Sequence, residues 1–143
     1  MAKKPKIRVI ALGLIRDESR IFVSQGYDTA KQETFYRALG GGVDFVETSL
    51  AAVQREFQEE MQAELTNLRY LGCIENIFTY NGKPGHEIIQ TYQCDFVDRA
   101  LYEQDEIEFV EGSTKRKAVW IEIERCKSGE LTLVPAQFLN YLT

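Results

Sequence analysis

The chain is poor in the residues behind much catalytic, metal and disulfide chemistry. Its 143 residues include one histidine, three cysteines, three prolines and a single tryptophan. The only histidine, His86, stands beside Glu87 near a turn, so a Ser-His-Asp arrangement has little material to work with. His86 is read as a surface or strand residue. Cys73, Cys94 and Cys126 are odd in number and far apart, with no C-x-x-C pair and no histidine at metal-ligand spacing. They are expected to be small buried hydrophobes in a reducing compartment. No stretch approaches the ~20 apolar residues of a membrane span. Lys3, Lys4 and Lys6 precede an apolar stretch in the manner of a signal peptide, but Arg8 interrupts it and no small-residue cleavage pattern follows Val9 to Ile15. The expected location is the cytoplasm, with no membrane partner. Basic residues are also in deficit, 17 against 22 acidic, giving a net charge of -5. That balance argues against a general nucleic-acid or membrane-surface binder, while leaving room for a locally basic groove.

What is present is the composition of an ordinary globular chain, 44% hydrophobic and 27% charged. A chain of this length buries roughly two-thirds of its unfolded surface and needs no metal or disulfide to fold. A metal, if bound, is therefore expected to be functional. With no repeat, low-complexity segment or linker, residues 1–143 read as one domain of mixed α and β type.

Ile7 to Ile15 and Ile21 to Ser24 are β-branched and apolar around Asp17, Glu18 and Ser19, which predicts two strands with a tight connection. Tyr27 to Thr34 reads as a loop. Phe35 to Leu39 then leads into Gly40, Gly41 and Gly42, a run whose entropy cost is tolerated where backbone bends sharply or approaches a ligand. Between Thr48 and Met61 the apolar residues Leu50, Val53, Phe57 and Met61 form one helical stripe, with Thr48 or Ser49 as N-cap. Leu65 to Cys73, Ile74 to Tyr80 and Glu87 to Val97 read as strands, with a hairpin turn at 81–85. The acidic stretch from Asp98 to Glu111 reads as a long loop or short irregular helix. A last strand, Ala118 to Ile123, leads into Glu124 to Lys127, and Pro135 to Leu142 reads as a closing helix.

The informative feature is the crowding of Glu56, Glu59 and Glu60 into the last two turns of the helix predicted over 48–61. At ~100° per residue they occupy an arc of about 100° beside the apolar stripe. Glu56 and Glu60 form an i, i+4 like-charge pair, and all three face the negative end of the helix dipole. A sequence shaped for stability alone would place lysines there. A divalent cation reverses the sign of each of these terms, and carboxylates one turn apart can reach hard cations such as Mg²⁺ or Mn²⁺. The competing reading is a solvated acidic face that only supports the fold.

From Gly41 the sequence runs GGVDFVETSLAAVQREFQEEMQA. Gly41, Glu47, Arg55, Glu56, Phe57, Glu59 and Glu60 closely resemble the signature box of the Nudix hydrolase family. Phe57 matches as the apolar position of the box and the other six as identities, which at a background of about 6% each match one window by chance with a probability on the order of 10⁻⁷ to 10⁻⁸. Phe35 to Gly40 is similar to the family's aromatic-to-glycine lead-in, with Leu39 where proline is common. Gln62 and Ala63 depart from the box, which usually has glycine and then a larger aliphatic residue. Either Gln62 ends the helix in the left-handed conformation, at about 1 kcal/mol, or the helix runs on toward Leu65.

The resemblance implies an α/β fold, a Nudix-type α/β/α sandwich around a mixed sheet. It implies a Mg²⁺- or Mn²⁺-dependent pyrophosphohydrolase that cleaves a nucleoside diphosphate linked to another moiety X. By the same resemblance Glu56 and Glu60 are the principal metal ligands, Glu59 a further ligand or water-orienting base, and the Gly40 carbonyl a backbone ligand. Glu47 and Arg55 form the charge pair that locks loop to helix. The family's general base often lies outside the box, and Glu103, Asp105, Glu106, Glu108 and Glu111 all offer themselves. Glu111, next to Gly112, is preferred. Arg37 and the run from Lys115 to Lys117 are candidate phosphate contacts. Tyr36, Phe78 and Tyr80 are candidates for base stacking, against a default role as core aromatics. X stays open among triphosphates, ADP-ribose, dinucleotides, nucleotide sugars and capped RNA ends, the last being the one nucleic acid admitted. A homodimer is left open. The alternative function is a nucleotide-sensing or regulatory Nudix-fold domain that does not cut.

Overall fold

The computed structural model describes residues 4–143. Of the basic start, Lys3 lies outside the described residues, while Val9 to Ile15 fall within a strand. β1 (Arg8–Asp17) and β2 (Arg20–Asp28) form the expected tight hairpin, with Ile15 opposite Phe22 and Asp17 opposite Arg20. Along β1 the pleat sends Ile10, Leu12 and Leu14 to one face and Ala11 and Ile15 to the other. Both faces are buried, so the strand reads as one continuous apolar run rather than as alternation.

The segment expected as a loop from Tyr27 is shorter than that. β2 continues to Asp28, and β3 (Glu33–Arg37) returns along it with Phe35 opposite Gly26. The triple glycine itself is a strand, β4 (Leu39–Gly42), paired with β1. The two strands expected at 65–80 are one, β5 (Leu65–Tyr80), whose pairing with β6 (Lys83–Phe96) shifts register between Thr66 and Arg69 and again between Tyr70 and Gly72. Those irregularities bend a long strand without ending it. β6 also runs parallel to β1, which makes the sheet mixed.

The acidic stretch 98–111 is only half irregular. A 3-10 helix, Arg99–Glu103, is capped by the Asp98 side chain, and then β7 (Glu106–Glu111) pairs with β8 (Thr114–Glu122). Ile107 and Phe109 alternate with Glu106 and Glu108, and Phe109 is buried. The strand period is thus present beneath the charge. The sheet order is β5-β6-β1-β2-β8-β7, with β3 on β2 and β4 on β1.

α1 (Ser49–Met61) covers one face, burying Ala52, Val53 and Phe57. Leu50, expected in the buried stripe, is exposed, and Ala52 takes the inward position. Gly13 lets the helix sit close, since a Cβ there would stand 3.0 Å from the Phe57 ring. On the opposite face α2 (Ile123–Lys127) and a closing 3-10 helix, Ala136–Tyr141, bury Ile123, Cys126, Phe138 and Leu142. The closing segment is 3-10 rather than α-helical. The result is the expected α/β/α sandwich, with two apolar layers on the two faces of the sheet. Of the cysteines, Cys94 and Cys126 are buried as expected, whereas Cys73 is exposed. No helix among the described residues is long and apolar enough to cross a membrane.

Candidate active site

α1 is held at both ends by side-chain and backbone bonds. The Thr48 hydroxyl accepts from the Ala51 amide at 3.1 Å, as a helix N-cap does. At the other end Gln62 is left-handed, with φ 53°. Its amide donates to the Gln58 carbonyl at 3.0 Å, and the Ala63 amide donates to the Phe57 carbonyl at 3.3 Å. The first of these is the single bond of a left-handed helix stop, so the helix ends at Met61 and Gln62 takes a conformation that glycine adopts more cheaply.

The loop before the helix is locked by Arg55. Its Nε and Nη2 donate to the two Glu47 carboxylate oxygens at 2.7 and 2.9 Å, and Nη2 also reaches the Gly42 carbonyl at 2.9 Å. A bidentate pair of this kind fixes geometry as well as charge. The Arg55 bonds, with the Asp44 amide donating to Glu47, hold the Glu47 carboxyl down at about 2. The Glu47–Arg55 pair stands where the sequence placed it. Arg55 also uses Nη1, which donates to Glu56 at 2.9 Å and to Glu59 at 3.2 Å.

α1, β4 and the β7–β8 hairpin enclose part of a cleft of about 740 Å³. Gly40, Gly41, Glu56, Glu60, Glu111 and Arg37 all line it. Gly40 has φ 149°, and a Cβ there would stand 2.0 Å from the Ala11 carbonyl, so this position accepts only glycine. Glu60 is partly buried. Burial chiefly, then a hydrogen bond shared with Glu56, then the negative charges of Glu111, Glu56 and Glu59, push its carboxyl up to about 8. Glu111, more than fifty residues beyond Glu60 in sequence, is thus brought to the box, where Arg116 lies 3.7 Å from it. Glu103, Asp105, Glu106 and Glu108 do not line the cleft, and neither does Glu59, which is largely exposed against Arg55. Lys117 pairs with Glu106 at 3.0 Å and, like Lys115, stays outside.

Oxygen donors of this type suit a hard divalent cation. Among the described residues no group of three or more His, Cys, Asp or Glu is already drawn together to hold an ion. Arg55 meanwhile supplies positive charge to Glu56 and Glu59. Glu60 forms no ion pair among the described residues and Glu111 only the 3.7 Å one to Arg116, so Glu60 is left partly buried beside other carboxylates with no charge to offset them. The donor chemistry therefore fits such a cation.

Two residues escaped the sequence reading as site residues. Glu87 is buried and accepts from Arg37 Nη2 at 2.7 Å and from Asn76 Nδ2 at 3.4 Å. Phe35 lines the cleft with Phe78 and Tyr80, whereas Tyr36 packs into the core below the sheet. Glu87 and Phe35 lie on strands whose pairing only the fold sets. The available signal for Glu87 was its place in the strand alternation, on the same face as Ile89.

A helix-flanked mixed sheet with carboxylates gathered beside basic residues in one cleft is the apparatus of a hydrolase that works on phosphate anhydrides. The NUDIX domain family model matches residues 4–142, and the chain belongs to the Nudix family of such hydrolases. Solved structures agree in fold. The MutT NUDIX hydrolase of Burkholderia pseudomallei is 23% identical, covering 83% of this chain and 85% of that one, with a TM-score of 0.61. The NUDIX hydrolase of Nitrosomonas europaea is 14% identical over 91% and 82%, also at 0.61. The E. coli ORF135 protein is 20% identical over 96% and 87%, at 0.58. No curated protein matches the chain.

Proposed function

We propose that this protein is a Mg²⁺-dependent pyrophosphohydrolase that cleaves a nucleoside diphosphate linked to another moiety by attack of water on phosphorus. The observation that carries this reading is the meeting of Glu56, Glu60 and Glu111 in one cleft, with the Glu60 carboxyl raised to about 8. Nudix hydrolases generally use a divalent metal. Glu56 and Glu60 would hold it here, with the Gly40 carbonyl, and Glu59 would join by swinging away from Arg55. When bound, the cation supplies charge neutralisation on the diphosphate and lowers the pKa of water.

The remaining steps belong to the chain. The Glu47–Arg55 lock fixes the loop that carries Gly40 to Gly42 against the helix that carries the acids, through the Arg55 bond to the Gly42 carbonyl. Glu111 takes the proton of the attacking water at a carboxylate oxygen, the base role that the acidic stretch offers. Arg37 contacts the substrate. The substrate is a small nucleotide derivative, and the working location is the cytoplasm.

The test is a panel of triphosphates, dinucleotides, nucleotide sugars, ADP-ribose and capped RNA with the full chain. Release of a nucleoside monophosphate or pyrophosphate from at least one member with Mg²⁺, and none with EDTA, is expected. Tight binding of one member with no turnover of any would overturn the reading in favour of a nucleotide-sensing domain.

A further inference from the structure

The end of the cleft away from the box acids is built differently from the rest. It lies between the β2–β3 hairpin and the β5–β6 hairpin, whose tips are tied together. The buried Asp28 carboxylate accepts from the Ala30 and Lys31 amides at 2.9 Å each, closing its own turn, and from the Asn81 amide of the other hairpin at 3.3 Å. Asn81 answers by accepting from the Thr29 amide at 2.8 Å, and Lys31 Nζ donates to the Thr79 carbonyl at 2.9 Å. These bonds hold the two hairpins at a fixed spacing.

Each hairpin lays one aromatic ring on a glycine of the strand opposite. Phe35 faces Gly26, where a Cβ would stand 2.4 Å from the ring, and Phe78 faces Gly85, where it would stand 2.3 Å away. With no side chain beneath it, each ring rests on the neighbouring backbone. Both rings are half-buried and both line the cleft. Tyr80 meets the Phe35 ring edge-on at 5.8 Å, which steadies it.

Within the same lining stand Arg37, Glu87 and Asn76. Glu87 is 96% buried, judged by a side-chain exposure of 4%, and both bonds it receives from Arg37 and Asn76 fall on one oxygen, Oε1. Arg37 Nε is sealed from solvent without an acceptor. A buried charge pair with an unspent donor is costly unless something else uses it.

We infer that this end of the cleft is the slot for the nucleobase of the substrate, with Phe35 and Phe78 as stacking faces and Arg37, Glu87 and Asn76 reading the base edge. The inference rests on the function proposed above and deepens it. It assigns the substrate class as a nucleotide held by its base, and it places Arg37 at the base rather than at the phosphates. Flat rings suit a planar ligand, and adjacent donor and acceptor groups suit the mixed edge that a nucleobase presents. An alkyl chain would leave the buried charges unused. Glu87 acts partly as a positioning residue, holding the guanidinium of Arg37 in the wall.

The test is calorimetric binding of methylene-bridged, non-hydrolysable triphosphates of the four common bases to the full chain with Mg²⁺, against inorganic tripolyphosphate as the base-free probe. At least one nucleotide is expected to bind tenfold or more tighter than tripolyphosphate. Phe78→Leu and Phe35→Leu should each weaken nucleotide binding by about five- to a hundredfold, in line with the value of one stacked base, with tripolyphosphate affinity little changed. Glu87→Gln should reorder the preference among bases. Tripolyphosphate binding as tightly as every nucleotide would overturn the inference, as would folded leucine variants with full base preference. The wild-type comparison decides alone if a variant fails to fold. Nucleotide binding without hydrolysis would sink the proposed function and leave the slot standing, while hydrolysis blind to the base would do the reverse.

Discussion

The Glu56 carboxyl occupies the space that a side chain at Gly41 would fill: a Cβ there would stand 2.5 Å from its Cδ and 2.6 Å from its Oε2. The glycine of the box is thus required by an acid of the box fifteen residues later, across the gap between β4 and α1. Gly41→Ala should push that carboxylate aside while leaving the fold intact, because the displaced atoms are the end of a flexible side chain. We expect a stability change within about 0.5 kcal/mol and a loss of turnover of at least tenfold, measured by thermal melting and by the same phosphohydrolase assay. Native turnover in the alanine variant would remove Glu56 from the metal site.

Glu108 and Glu111 alternate along β7, yet only Glu111 lines the cleft. Glu111→Gln is expected to lower turnover by about 10² to 10⁴-fold, the usual contribution of a general base, with the pH dependence of the rate altered. Glu108→Gln should leave it near native. The reverse pattern would move the base elsewhere.

The helix, its cap and its acids were legible because each depends on residues close in sequence. Periodicity sets α1, Thr48 supplies its cap, and spacing alone puts Glu56 and Glu60 one turn apart. Glu87 was not legible as a partner of Arg37, since fifty residues separate them and their strands, β6 and β3, meet only through the sheet order that places β1 and β2 between them. β7 was hidden differently. Its glutamates suggested a solvated loop, although the inward alternation of Ile107 and Phe109 already carried the strand period. Gln62 stayed ambiguous because the choice between a strained stop and a longer helix depends on whether Ala63 and Leu65 are pulled into the core, and both are buried.

Gln62→Gly tests that stop directly. The left-handed φ of 53° costs a non-glycine residue about 1 kcal/mol or more, partly offset by the larger entropy that glycine brings to the unfolded chain. A gain of about 0.5 kcal/mol with unchanged turnover is the expected result, read from denaturant midpoints.

Glu47 is bound at both oxygens by Arg55, and its carboxyl lies at about 2 against an ordinary 4.5. A carboxyl lowered on folding contributes stability above its unfolded value, and that contribution disappears as pH falls through the folded one. Acid titration of the melting temperature should therefore show a decline between pH 4.5 and about 2 that Glu47→Gln reduces. The variant should also melt lower at pH 7, since Arg55 loses its bidentate partner.

Glu60 has the opposite sign. Its carboxyl stands at about 8 instead of 4.5, so in the absence of metal the folded protein keeps a proton that the unfolded chain releases. Stability from this group is complete below pH 4.5 and is lost as pH rises toward about 8. In EDTA, melting temperature should therefore fall across that interval, and Glu60→Gln, which cannot ionise, should flatten the fall and be neutral or mildly stabilising at pH 8. Mg²⁺ supplies the missing positive charge, so it should raise the wild-type melting temperature most at the alkaline end and the variant's much less. Turnover moves the other way, because the glutamine removes a ligand and should cost orders of magnitude at saturating Mg²⁺. A Glu60→Gln protein that keeps near-native turnover, or that melts far below wild type in EDTA, would show that Glu60 serves the fold and not the metal.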